Sequence, residues 1–194
     1  MRVLFTSVLL TLGLSVAAGC GKSDFSSPKG AARTYAAAMA NGDAEMAKKA
    51  CTGGDPKLIE SMAVAAGNFK KLQDAAISKF GDEGKTVFGG TANGFDVDKN
   101  LDDAVEKIDG DNATVTLKSG KPLNLKKVDG EWKVDASEMG GVAGSMGVAM
   151  ADSMGKTAKE LADEINDGKY KTAAEAKDAF SKKMFGGMGG LIIK

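Results

Sequence analysis

Near Asp102 the spacing of apolar side chains changes from every third or fourth residue to every second, and no single kind of secondary structure satisfies both spacings. Before the change, Leu58, Met62, Ala65, Phe69, Leu72, Ala76 and Phe80 recur by three or four residues, which lines them along one face of a helix. After it, Ala113, Val115 and Leu117 alternate with Thr114, Thr116 and Lys118, and Leu123 and Leu125 alternate with Asn124 and Lys126. Such alternation puts apolar side chains on one side of a sheet and polar ones on the other. Asp129-Gly130, set between LNLKKV and EWKVD, marks a two-residue hairpin, because both central residues of a type I′ turn take positive φ. The pattern predicts strands at Ala104–Ile108, Asn112–Lys118, Leu123–Val128 and Glu131–Asp135. An α+β fold follows, with N-terminal helices packed on the apolar side of an antiparallel sheet of three to four strands and further helices after it.

Helix ends are signalled locally. Ser27-Pro28 and Asp55-Pro56 each set a capping side chain before a proline at the first helical position, where its missing N–H costs nothing. Asn41-Gly42 ends the first helix, Asp43 opens a second that runs through Cys51, and the third extends from Pro56 to Gly81. Residues 81–100 hold five glycines and no sustained period, so they read as a loop with a short strand at Thr86–Phe88. The 13-residue stretch MGGVAGSMGVAMA, residues 139–151, is apolar and small, but falls short of the ~20 residues of a membrane span and reads as close packing. A helix from Ser153 to Asn166 follows, and a capping box of Thr172 and Glu175 opens a last one.

The first nineteen residues, MRVLFTSVLLTLGLSVAAG, place Arg2 ahead of an uncharged run from Val3 to Ala18. A basic start, an apolar middle and small residues before a cleavage point make a secretory signal. The run is shorter than a spanning helix and carries Thr6, Ser7, Thr11, Gly13 and Ser15. The tetrapeptide AAGC, ending at Cys20, resembles the lipobox of bacterial lipoproteins, whose cysteine takes a diacylglyceryl group and becomes the first residue after cleavage. Ala18 and Gly19 match the small positions before that cysteine, while Ala17 stands where the family more often has leucine. The resemblance implies cleavage between Gly19 and Cys20, lipidation of Cys20, and periplasm-facing attachment to a bacterial envelope membrane, inner or outer. Cys51 is the other thiol. A bridge between the two would need Cys20 held in fixed geometry, which the head of a flexible tail does not provide. Cys51 is therefore expected to be a small buried apolar residue.

Function classes narrow by what is missing. The sequence has no histidine, which removes the commonest proton shuttle near neutrality and the commonest ligand for transition metals. Hydrolase arrangements built on serine-histidine or cysteine-histidine are excluded. The 26 basic residues less Arg2 leave 25 against 26 acidic ones, a net charge of −1 on the mature chain, with the signs interspersed. No basic stripe suits nucleic acid. Gly155-Lys156-Thr157 and Gly84-Lys85-Thr86 lack the earlier glycine of a phosphate loop, since Met150 and Lys79 stand there. The acidic run DVDKNLDD, from Asp96, has Leu101 and Lys107 where a helix-loop-helix calcium site needs glycine and glutamate. No metal ligand set, cofactor or catalytic residue is nominated.

The order of short helices and then a meander ending in KKVDGEWKVD resembles bacterial lipoproteins with a nuclear transport factor 2-like, or ketosteroid isomerase-like, domain. The matching residues are Val128, Asp129, Gly130, Trp132, Lys133 and Val134. The resemblance implies a curved antiparallel sheet wrapped round helices into a cone. It covers hydratases, isomerases and non-catalytic binding or scaffold domains; the enzymes lean on aspartate, tyrosine and histidine within the cone. The expected organisation is a signal peptide at 1–19, a lipidated tether at 20–27, the α+β domain at 28–136, a helical extension at 137–185 and a glycine-rich tail at 186–194. The expected function is a lipid-anchored envelope protein that binds or scaffolds without catalysis. Its partners would be membrane lipid through acylated Cys20, and a small apolar ligand between sheet and helices or an envelope protein. Two alternatives stand beside it. One is a hydratase or isomerase, marked by a carboxylate of raised pKa in an apolar pocket. The other is a structural partner in an envelope assembly, using the alanine- and glycine-rich face after Met139.

Overall fold

The computed structural model describes residues 23–92, 101–117, 120, 122–137 and 144–188. Helix α1 spans Pro28–Asn41, with Ser27 Oγ accepting the Gly30 N–H at 3.1 Å and Gly42 closing it in the left-handed region at φ 70°. Helix α2, Ala44–Lys49, is capped by Asp43, whose carboxylate accepts the Met46 N–H at 3.0 Å. The chain then forms a two-residue strand, β1, Cys51–Thr52, instead of continuing the helix through Cys51. Asp55 caps α3, Pro56–Phe80, the longest element, and Gly81 ends it.

Residues 82–92 differ from expectation: Asp82–Ala92 is helix α4, where a loop with a short strand was expected. The reason is packing. A Cβ on Gly84 would lie 2.1 Å from the Ala76 carbonyl oxygen, so glycine here lets α4 approach α3 rather than breaking the helix. Strands β2 (Val105–Asp109), β3 (Asn112–Thr116), β4 (Pro122–Val128) and β5 (Glu131–Asp135) form the meander. Asp129 and Gly130 take φ 52° and 83°, the two positive values the hairpin requires. Helix α5 covers Gly144–Asn166 and α6 covers Ala173–Met188. The helix expected from Ser153 thus begins at least two turns earlier.

The fold is α+β, but among the described residues its sheet has five strands in the order β1-β5-β4-β3-β2, against the three to four expected. It is also mixed, because β1 runs parallel to β5 with Cys51 opposite Val134 and Thr52 opposite Asp135. Two residues give no alternation to read, and only their long-range partner makes them a strand. One side of the sheet is covered as the alternation demands: Ala113, Val115, Leu125, Trp132 and Val134 are buried against Ala31, Ala32, Tyr35 and Met39 of α1. Edge strand β2 is exposed along its whole length.

A second core lies among helices. Leu72, Ala75 and Ala76 of α3 pack with Phe88 of α4, Ala158, Leu161, Ala162 and Ile165 of α5, and Ala173 and Ala176 of α6. Helix α3 therefore carries both cores, Ile59, Ala63 and Ala66 serving the sheet and the second half serving the helices. Each fully buried large side chain in such a core contributes ~1.5–3 kcal/mol relative to exposure. Helices α3 and α5 approach closely at Gly155, where a Cβ would meet Ala65 Cα at 2.9 Å. There Asn68 Nδ2 donates to the Gly155 carbonyl at 3.2 Å.

Candidate functional site

The site residues nominated from sequence, Gly19 and Cys20, lie outside the described residues, as do Asp96, Asp98 and Asn100 of the acidic run. Near them the chain is already part of the fold. Phe25, inside the segment read as tether, is buried, its backbone carbonyl accepts the Trp132 N–H at 2.9 Å, and Lys49 Nζ sits 5.5 Å from its ring centroid. Phe25 is five positions after Cys20, a reach of at most ~18 Å at 3.3–3.6 Å per residue. Asp102, at the end of the acidic run, is held in an ion pair with Arg33 at 2.8 Å.

Cys51 is free and buried in the sheet core, and desolvation pushes its thiol up to about 12. A thiol held protonated at neutral pH is a poor nucleophile. Tyr35 in the same core is also raised, by burial first and by Cys51 second. The shifted carboxylates among the described residues, Asp24, Asp135 and Glu164, all move down. Asp135 is held at about 2 by its hydrogen bonds from Lys126, 2.7 Å away, and from Ser137. Glu164 is held at about 2 by hydrogen bonds from Lys169 and Tyr170, with Lys183 also facing it. Carboxylates so shifted are stabilised anions, the opposite of a base waiting in an apolar pocket.

Among the described residues, one feature with binding geometry is a groove of about 490 Å³ between α3, α5 and α6. Met62, Ala65, Ala66 and Phe69 of α3 form one wall, Ala151 and Met154 of α5 the second, and Phe180 and Met184 of α6 the third. All eight are apolar. Phe69 and Phe180 meet edge to face with centroids 6.0 Å apart, which fixes the angle between two walls. The third wall is positioned by charge: Lys183 on α6 bonds Glu160 and Glu164 on α5, each at 3.2 Å, while Lys169 and Tyr170 tie the intervening turn to Glu164. Close contact at Gly155 sets the spacing of the other two. Methionine thioethers are flexible and polarizable, so three of them let the walls adapt to the shape of an apolar guest.

The expected place for an apolar ligand was between sheet and helices; this groove lies among the helices, at the junction of the two cores. The apolar spacing places Met62 and Phe69 on one face of α3 without linking them to the other two walls. Their signal is composition: methionine and phenylalanine, rather than leucine, on three faces that converge. Comparison with protein-family models, with curated proteins and with solved structures finds no significant match.

Proposed function

We propose that the protein is a lipid-anchored component of a bacterial envelope, fastened through acylated Cys20, whose domain binds a small apolar ligand without catalysing its conversion. The single observation that carries the binding reading is the groove of Met62, Phe69, Ala151, Met154, Phe180 and Met184, open to solvent and lined by apolar residues alone. Pockets that hold small ligands are mostly apolar and largely preformed. The AAGC sequence supports the anchor, and the docked Phe25 keeps the domain close to the bilayer. The nuclear transport factor 2-like reading draws on helices α1 to α4, with β1 among them, preceding the β2–β5 meander.

The test is binding of 1-anilinonaphthalene-8-sulfonate to the mature chain carrying Cys20→Ala, which has no lipid of its own to compete. The dye brightens on entering the groove, and Ala151→Trp, which fills the groove from α5, weakens binding by about tenfold, ~1.4 kcal/mol. Equal binding by both chains, with unchanged circular dichroism, refutes the groove as the site. A second reading, contact with another envelope protein, is favoured by Met146 and Met150 of α5, which are 73% and 53% exposed.

A further inference from the structure

We propose that Met62, Met154 and Met184 form a modification site for small hydroperoxides, and that oxidation of their thioethers to sulfoxides closes the groove to apolar ligands, a regulation that rests on the groove being a binding site. Each of the three walls carries one of these methionines, Met62 from α3, Met154 from α5 and Met184 from α6, and all three are half-buried. On α5, Met146, Met150 and Met154 stand four residues apart and so share a helix face. Met146 and Met150 are exposed and Met154 lines the groove, so a row of thioethers runs from solvent to the site. Met39 in the sheet core, 2% exposed, has no such access.

Hydrogen peroxide is the only co-reactant the step needs. A sulfur lone pair attacks one peroxide oxygen, an S–O bond forms as the O–O bond breaks, and the departing hydroxide takes the proton left on the transferred oxygen. Sulfur is oxidised by two electrons and the peroxide is reduced to water. A thioether needs no deprotonation to react, whereas the buried Cys51 thiol is held protonated and does not compete. The consequence follows from the lining. Methionine, alanine and phenylalanine side chains offer no hydrogen-bond donor, so a sulfoxide oxygen there is left unsatisfied once an apolar guest displaces its water. The change is reversible: methionine sulfoxide reductases remove the oxygen as water while two thiols become a disulfide.

The mature Cys20→Ala chain, treated with hydrogen peroxide and desalted, is mapped by peptide mass spectrometry and titrated with 1-anilinonaphthalene-8-sulfonate. Added oxygen is expected on Met62, Met154 and Met184 and not on Met39, with dye binding weakened by about tenfold or more at unchanged circular dichroism. A second chain carrying Met62→Leu, Met154→Leu and Met184→Leu, which nearly conserves side-chain volume, keeps its affinity through the same treatment. Methionine sulfoxide reductase with dithiothreitol restores binding to the oxidised parent. Unmodified groove methionines, unchanged dye affinity after their oxidation, loss of the fold on oxidation, or an equal loss of binding in the leucine chain overturns the inference and leaves ligand binding standing. Dye that brightens with neither chain before treatment, both folded, overturns the inference and the binding reading together.

Discussion

Replacing Gly155 by alanine sets two opposed effects against each other, and the structure decides their sum. In a helix interior alanine is favoured over glycine by ~0.8–1.0 kcal/mol, so propensity alone predicts a more stable protein. Gly155, however, faces α3 across a close contact between the two helices, and a Cβ there would lie 2.9 Å from Ala65 Cα and 3.1 Å from Ala65 Cβ. Carbon atoms rest at ~3.5–4.0 Å, and neither Ala65 atom can turn away, so the helices must part by ~0.5–1 Å. Overpacking of this kind costs ~1–3 kcal/mol. Parting the helices also stretches the bond from Asn68 to the Gly155 carbonyl, already at 3.2 Å. A net loss of up to ~2 kcal/mol is expected. The control is Gly89→Ala in α4, where a Cβ would meet nothing closer than Lys85 Cγ at 3.7 Å. That variant keeps the propensity gain and becomes ~0.5–1 kcal/mol more stable. Urea unfolding of both, read as shifts in midpoint at constant slope, gives the comparison. If Gly155→Ala is stabilised as much as Gly89→Ala, the close approach of α3 and α5 is wrong, and with it the spacing of two groove walls.

Acid should loosen the third wall. Glu164 sits at about 2 in the fold against an ordinary 4.5, and Asp135 at about 2 against 3.8. Both are depressed, so their stabilisation is complete above the ordinary values and is lost as pH falls from about 4.5 towards 2. Urea midpoints at pH 7 and pH 3 should fall less in Glu164→Gln than in the parent, and an equal fall in both would contradict the network. Cys51, its thiol raised to about 12 by burial, should resist a thiol reagent at pH 8 in the native Cys20→Ala chain and react fully in urea. Prompt native reaction would remove it from the core.

Much of the architecture is legible in the sequence where structure is local. Ser27, Asp43, Asp55 and Thr172 cap the helices they were expected to cap, because a cap depends on residues within one turn. Asp129-Gly130 turns as its required φ values dictate. Features set by distant partners are not legible. Strand β1 exists only through Val134 and Asp135, more than 80 residues away. Glycines 84 and 89 resemble loop punctuation until α3 is seen beside them, where Gly84 is a packing requirement. The candidate site is the least legible part, since its eight residues come from α3, before the β2–β5 meander, and from α5 and α6, after it. Cys20, by contrast, is a purely sequence-level assignment.

That assignment sets where the groove works, and mass spectrometry of the amino-terminal peptide from bacteria producing the full-length chain tests it most directly. The account predicts a terminus at Cys20 whose cysteine carries an acylated glycerol. A mature chain that begins at another residue, or an unmodified Cys20, would contradict it.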